Sequence, residues 1–303
     1  MTHAAGTILT SPRKPNVNDA ANARRTFALQ VKISIANGAH APELLARESG
    51  LSKLRIKDAM QKGAVWLTRG TRKPLRLRRA TAELCAGDVL DFYYDSAVID
   101  RVPPVATLVA EQKRYSVWFK PAGLLVEGSR YGDHATLAHQ VAAHYGGRRE
   151  VFLVHRLDME AAGVMIIAHS SGATAKLSAL FRERLVIKEY LVDVLGDLGA
   201  VGTIGNIELT LEGKAARTDY VVEAVNTERG HSRLRVRMAT GRYHQIRQHF
   251  AAVGTPVLGD PRYGSGNADP RGLQLQAVMI EFVDPWSSGE AVHYSIPARW
   301  APL

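Results

Sequence analysis

The sequence predicts an α+β protein in which a small N-terminal α/β module precedes a larger domain built on a mixed, largely antiparallel sheet. Three observations predict it. From Tyr115 onward, hairpin-like strand patterns and interspersed helices follow one another irregularly, without a repeating strand-helix order. Ahead of them, residues 41–94 carry a compact helix-helix-strand pattern. Between the two stands Pro103-Pro104, which can continue neither a helix nor a central strand and reads as a hinge. Three segments are therefore expected: a mobile tail over residues 1–27, the module over 28–100 and the large domain over 101–303. With 303 residues and 46% hydrophobic content, the chain is long enough for a large core.

The first 27 residues carry few large apolar groups and cannot bury enough surface to offset the entropy of ordering. Ala41 to Glu48 is expected as a short helix with Leu44 and Leu45 inward, halted at Gly50. Ser52 is a candidate N-cap for a second helix, on which Ile56, Ala59 and Met60 share one face and which Gly63 closes. Ala64 to Leu67 reads as a strand, Leu75 and Leu77 as apolar positions alternating with Arg76 and Arg78, and Val89 to Tyr94 as a closing strand. Beyond the hinge come a strand at Tyr115 to Phe119, a turn at Lys120 to Gly123, a helix at Thr136 to His144 and a buried strand at Val164 to Ala168. A helix from Ser171 to about Glu183 buries Leu177, Leu180 and Phe181, and a strand at Ile187 to Val194 follows. Later strands are Thr218 to Ala224 and Arg233 to Met238, the latter with one basic face of Arg233, Arg235 and Arg237. Thr240-Gly241 precedes, and Gly254 and Pro256 follow, a helix read as carrying Arg242, His244, Arg247 and His249.

Charge and cysteine usage narrow the function classes. The formal charge is +10, and between Lys53 and Arg79 ten basic residues face Asp58 alone, so that this block holds +9 of it. A charge run is often a solvated face, but one holding nearly the whole excess reads as a phosphate-binding surface. Cys85 is the only cysteine, which excludes an internal disulfide and a thiolate zinc site and fits a reducing cytoplasm. No stretch near the start resembles a signal peptide, and apolar runs fall far below the ~20 residues of a membrane helix. A cytoplasmic monomer is the expectation.

The stretch LLARESGLSKLRIKDAMQKGAVWL, followed by LCAGDVLDFYY, resembles the S-four-type RNA-binding module, named after a small-subunit ribosomal protein. The resemblance implies that the helices lay Lys53, Arg55, Lys57 and Lys62 along an RNA backbone.

Two segments carry chemistry. His155-Arg156-Leu157-Asp158 taken alone reads as an exposed charged turn, yet it lies between the apolar stretches Val151 to Val154 and Val164 to Ala168, where a carboxylate needs a cation. The second is ATGRYHQIRQHFAAVGTPVLGDPRYG, in which Ile246 and Phe250 share an apolar stripe and Gly259-Asp260-Pro261 makes an exit turn. His244 and His249 are five apart, a poor spacing for two ligands on one helical face, so no metal site is expected.

The segments VWFKPAGLLVEG, VHRLDMEAAGVMIIA, LVIKEYLVDV and TGRYHQIRQHFAAVGTPVLGDPRYG stand in the order of the RluA-type pseudouridine synthases, and the chain resembles that family over about residues 113 to 297. By that resemblance Asp158 is the carboxylate that initiates cleavage of the glycosidic bond, Tyr190 stacks on the target base and Arg247 pairs with the aspartate. Arg156 would occupy the space left by the flipped nucleotide and Ile246 would line the pocket. Lys120 and Pro121 would shape the pocket from the first strand, and His155 and Arg242 are further candidates for substrate contact. An arginine beside Asp158 would orient it and compensate its charge. The reaction breaks a carbon-nitrogen bond, turns the uracil and rejoins it through carbon, without redox change or net hydrolysis, so it requires no cofactor. A stacked uridine cannot reach a buried carboxylate and must be flipped out at a cost of a few kcal/mol.

The chain departs from the family pattern at Ala161-Ala162, where relatives place Thr-Ser, and at Gln276-Ala277, where His-Ala is usual. If the missing hydroxyls cap backbone groups, their loss costs about 1 kcal/mol each. The fused basic module inclines the expected substrate toward large-subunit ribosomal RNA. The alternatives are a transfer RNA pseudouridine synthase and a non-catalytic RNA-binding or ribosome-assembly protein, the latter motivated by the +9 block and the missing Thr-Ser pair.

Overall fold

A computed structural model describes residues 24–34, 40–264, 267–287 and 289–296. The chain forms two compact units, residues 1–100 and 101–303. Most of the expected tail lies outside the described residues, but Thr26 and Phe27 are not tail: they open a strand.

In the first unit the elements are β1 (Thr26–Lys32), α1 (Ala41–Ser49), α2 (Lys53–Gln61), β2 (Val65–Thr68), β3 (Leu75–Arg76), β4 (Val89–Asp95) and α3 (Ser96–Ile99). The strands form an antiparallel sheet in the order β1-β4-β2-β3. Helix α1 ends where Gly50 turns left-handed (φ 70) and its N–H bonds the Ala46 carbonyl. The Ser52 hydroxyl accepts from the Arg55 N–H and starts α2, whose Ile56, Ala59 and Met60 pack with Leu45, Val65, Leu90 and Phe92. Of the two apolar positions that alternate with Arg76 and Arg78, Leu75 is 72% exposed. Its strand is two residues long on the sheet edge, and only Leu77 reaches the core.

The second unit contains β5 (Thr107–Glu111), β6 (Tyr115–Lys120), α4 (Leu137–His144), β7 (Phe152–Leu153), β8 (Ala162–Ala168), α5 (Ser171–Arg182), β9 (Ile187–Leu195), β10 (Ile204–Leu211), β11 (Lys214–Asn226), β12 (His231–Met238), α6 (Gln245–Ala252), β13 (Leu275–Val283) and β14 (Ala291–Ser295). Ten strands make one sheet, ordered β10-β11-β12-β9-β13-β8-β6-β5, with β14 beside β13 and β7 beside β8. Among the described residues, β13–β8 is the one parallel strand pair in it. The mixed, largely antiparallel sheet and the α+β class are as the sequence predicts. Apolar clusters on both faces explain why every residue of β8 is buried and why it reads as a continuous apolar run. Gly163 (φ 143) is required at the parallel contact, since a Cβ there would lie 2.5 Å from the Ala277 carbonyl oxygen.

Two expectations need correction. The basic face of β12 is compensated: Arg233 bonds Asp193, and Arg235 and Arg237 both bond Glu189. Arg242 and His244 do not ride on α6 but in the turn before it, because Gln245 anchors that turn. The Gln245 side chain accepts from the Thr240 hydroxyl (2.7 Å) and the Arg242 N–H (3.1 Å) and donates to the Arg217 carbonyl (2.9 Å). No helix among the described residues is long and apolar enough to cross a membrane.

Candidate active site

The loop from β7 to β8 carries Asp158, and three contacts fix its path. Lys120 Nζ donates to the carbonyls of Pro121 (3.0 Å), Leu124 (2.9 Å) and Met159 (3.2 Å). The Gly123 N–H also bonds the Met159 carbonyl, at 2.8 Å. His155 Nε2 accepts from the Ile166 N–H at 2.9 Å while its ring stacks on Phe181. Burial, and Lys188 nearby, push His155 down to about 3, so it stays neutral and acts as an acceptor post for β8.

One Asp158 oxygen is bonded to Arg247 and the other faces the His244 ring, whose pKa burial lowers. Arg247 Nη1 donates to Oδ2 at 3.1 Å, and His244 Nε2 lies 3.5 Å from Oδ1. The pairing of Asp158 with Arg247 is therefore present, but Arg247 is shared. Its Nε and Nη2 each bond the Asp260 carboxylate at 2.8 Å, and Glu160 lies 3.6 Å from Nη1. Burial alone would lower the Arg247 pKa, but the bonds to Asp260 and Asp158 outweigh it and hold the guanidinium above its ordinary value. Burial would raise Asp260, yet Arg247 and the N–H groups of Arg262 and Tyr263 hold it below its usual range. Both are fully enclosed, whereas the Asp158 side chain keeps 23% of its surface exposed. Sequence reading missed Asp260, taking Gly259-Asp260-Pro261 only as an exit turn. The available signal was the position of Arg247 next to Ile246 on a helix packed against the core, where a buried guanidinium needs more than one partly exposed carboxylate.

Asp158 opens into a cleft of about 490 Å³, walled by Tyr190, Ile246, Leu275 and Ala161 and rimmed by Arg156 and Arg242. Burial, and the Asp158 carboxylate beside it, push the Tyr190 phenol well above its ordinary value, so it remains protonated. Lys188 lines the same cleft, and burial lowers its pKa. Arg156 is exposed, and Arg242 is half-buried, its guanidinium making only 3.5 Å contacts to the Ala215 carbonyl. Thus Asp158, Tyr190, Arg247, Ile246, His155, Arg156 and Arg242 converge. Lys120 and Pro121 are not on the cleft wall: the Lys120 ammonium is committed to three carbonyls beneath the Asp158 loop. A second hollow of about 450 Å³ shares Lys188 and Arg242 with the cleft and adds Arg182 and Arg184. The described residues hold no cluster of three or more His, Cys, Asp or Glu that could take a metal ion.

In the first unit, three of the four candidate RNA contacts have carboxylate partners. Lys53 pairs with Glu43 (3.0 Å), Arg55 with Asp100 (2.6 and 2.7 Å) and Lys62 with Asp58 (2.9 Å). Lys57 is exposed on α2. Counting charge within the block overlooked Glu43 and Asp100, which fold back onto it from either side.

Residues 114–252 match the RNA pseudouridylate synthase family. Over 218 residues the chain is 31% identical to the ribosomal large subunit pseudouridine synthase D of Vibrio cholerae, covering 63% of this chain and 66% of that protein. It is 32% identical over 215 residues to the dual-specificity RNA pseudouridine synthase RluA of Salmonella typhi, covering 64% of this chain and 94% of that one. Human RNA pseudouridylate synthase domain containing 1 shares the fold, with a TM-score of 0.55 at 24% identity over 67% of this chain and 88% of that chain. Fold and sequence together define an RNA-modifying isomerase. The chain belongs to the RluA-type pseudouridine synthases, enzymes that convert uridine to pseudouridine in RNA.

Proposed function

We propose that the protein isomerises uridine in large-subunit ribosomal RNA, as a cytoplasmic monomer, with Asp158 as the reacting carboxylate and residues 28–100 as an RNA-binding module. The observation that carries the reading is the Arg247-bound Asp158 opening into an apolar-walled cleft beside Tyr190. The name of the Vibrio cholerae relative supports the choice of RNA.

The geometry supports a division of labour. Asp158 acts on the flipped nucleotide either as nucleophile at the anomeric carbon or as base toward a ribose proton. Arg247 and His244 keep its two oxygens oriented through the reaction. Tyr190 stacks on the uracil, and its protonated phenol serves both as platform and as a wall that keeps water from the detached sugar. Ile246 and Leu275 complete that wall, while Arg156 takes the space vacated in the RNA. Lys188, Arg184 and Arg242, along the adjoining hollow, offer charge to the phosphates flanking the target.

The test is release of tritium from carbon 5 of labelled uridine in large-subunit ribosomal RNA, joined to pseudouridine mapping in cells lacking the protein. Release by the wild type, loss in Asp158→Asn and disappearance of a ribosomal site are expected. A second reading, motivated by the dual-specificity relative, adds transfer RNA as a target. A vanished site in transfer RNA with ribosomal sites intact would replace the first assignment. Full tritium release by Asp158→Asn would remove Asp158 from the chemistry.

A further inference from the structure

We infer that Tyr243 is a stacking platform for a nucleobase adjoining the everted uridine, a binding subsite that rests on the isomerase reading and adds a second base contact to it. Tyr243 lies in the turn before α6, lines the cleft and leaves 49% of its surface exposed. Its ring is nevertheless fixed. The His244 ring stacks on it at 3.7 Å between centroids and 20° between planes, Arg262 Nη1 donates to its hydroxyl at 3.2 Å, and its carbonyl accepts from Gln248 Nε2 at 2.7 Å. The left-handed backbone of His244 (φ 48) accompanies this alignment of adjacent side chains, a conformation with a steric cost outside glycine.

The platform sits beside the chemistry. His244 Nε2 is 3.5 Å from Asp158 Oδ1, and its Nδ1 lies 3.1 Å from the Tyr263 hydroxyl. A base on Tyr243 therefore adjoins a nucleotide whose sugar faces Asp158, with Arg242 on the cleft lining and Arg262 bonded to the Tyr243 hydroxyl. An aromatic face already ordered in the free protein loses little freedom on binding, and every base has a π-face to offer it. The contact favours a stacked neighbour without selecting which base that neighbour is.

The experiment compares labelled hexauridylate with a hexamer in which uridines alternate with abasic riboses, by fluorescence anisotropy. The alternating hexamer can still place one uridine on Tyr190 but has no base for Tyr243. Wild type is expected to prefer hexauridylate by about tenfold. Tyr243→Phe keeps that preference, and Tyr243→Ala reduces it to below about twofold with an unchanged salt slope, since no charge is lost. A preference retained in Tyr243→Ala, or lost equally in Tyr243→Phe, overturns the proposal. If Tyr243→Ala instead lowers tritium release while its hexamer preference stays intact, Tyr243 only buttresses His244 and the proposal falls. Wild type that shows the preference but releases no tritium from any RNA supports the subsite and counts against the isomerase reading alone.

Discussion

Asp260→Asn should damage the protein in a way that Asp158→Asn does not. Asp260 Oδ1 accepts three donors: Arg247 Nη2 and the N–H groups of Arg262 (2.8 Å) and Tyr263 (3.1 Å). An asparagine would keep its carbonyl oxygen there, which turns its amide NH2 toward Arg247 Nε, donor against donor. Breaking a buried pair by removing one charge costs about 3–5 kcal/mol. Because Asp158 and Glu160 remain near the guanidinium, the lower end applies, about 3 kcal/mol, or roughly 6–12 °C in Tm for a domain of this size. Asp158→Asn leaves the Asp260 bridge intact and should cost below about 1 kcal/mol, while abolishing turnover. In Asp260→Asn the carboxylate of Asp158 persists but its anchor shifts, and kcat should fall about 10²-fold. Urea denaturation and tritium release on the same preparations measure both. The reasoning fails if Asp260→Asn is within 1 kcal/mol of wild type, or if Asp158→Asn is the more destabilised of the two. The pH dependence has a definite sign. A carboxyl held below its unfolded value contributes stability that is complete above about pH 4 and lost as pH falls further, so the variant should show a flatter acid limb.

Further outcomes follow from other buried groups. Burial sets Lys120 at about 8, with Asp158 and Glu160 opposing the drop. The folded state then binds fewer protons than the unfolded state from about pH 8 to about 10.4, so wild-type stability should rise with pH across that window relative to Lys120→Met. At neutral pH the same variant removes three hydrogen bonds, including the one to the Leu124 carbonyl, and should lose about 1–3 kcal/mol by urea denaturation. Gln276 Oε1 is buried without a hydrogen-bond partner, and Gln276 stands in register with Ala162 across the parallel β8–β13 contact. Ala162→Ser should supply the missing donor and raise stability by about 1 kcal/mol; an unchanged or lower Tm would show that the hydroxyl does not reach. Lys57→Ala should weaken RNA binding with a salt slope smaller by about 1, whereas Arg55→Ala should mainly destabilise its unit, since Arg55 ties α2 to Asp100 and the Tyr94 hydroxyl.

What could be read from the sequence follows what is local. Caps and periodicity gave α1, α2 and α5 to within a residue or two, because Gly50, Ser52 and Ser170 act on their own neighbours. The buried strand β8 was legible because both its faces are covered. By contrast β1, β5 and β10 went unread. β10 forms a sheet edge with mostly exposed side chains and supplies no strong apolar period, whereas β1 does alternate Phe27, Leu29 and Val31 with exposed positions, a strand signal passed over because it adjoins the polar N-terminal stretch. Long-range charge pairing was also hidden: the Arg233, Arg235 and Arg237 face looks basic until β9 brings Asp193 and Glu189 beside it.

The site shows the same division more sharply. Asp158, Tyr190 and Arg247 were recognisable from their motifs, yet a motif names partners without saying how a guanidinium divides its donors. Two of those donors go to Asp260, a residue with no exposed surface, and one goes to Asp158. That asymmetry separates anchoring from chemistry. The buried bidentate bridge fixes where the guanidinium lies, so the bond to Asp158 need not hold the fold together. Asp158 can then keep part of its surface open to the cleft, with a single donor and His244 orienting it. A carboxylate enclosed as fully as Asp260 would be better held and could not reach a sugar, whereas one with no anchored cation would not keep its aim.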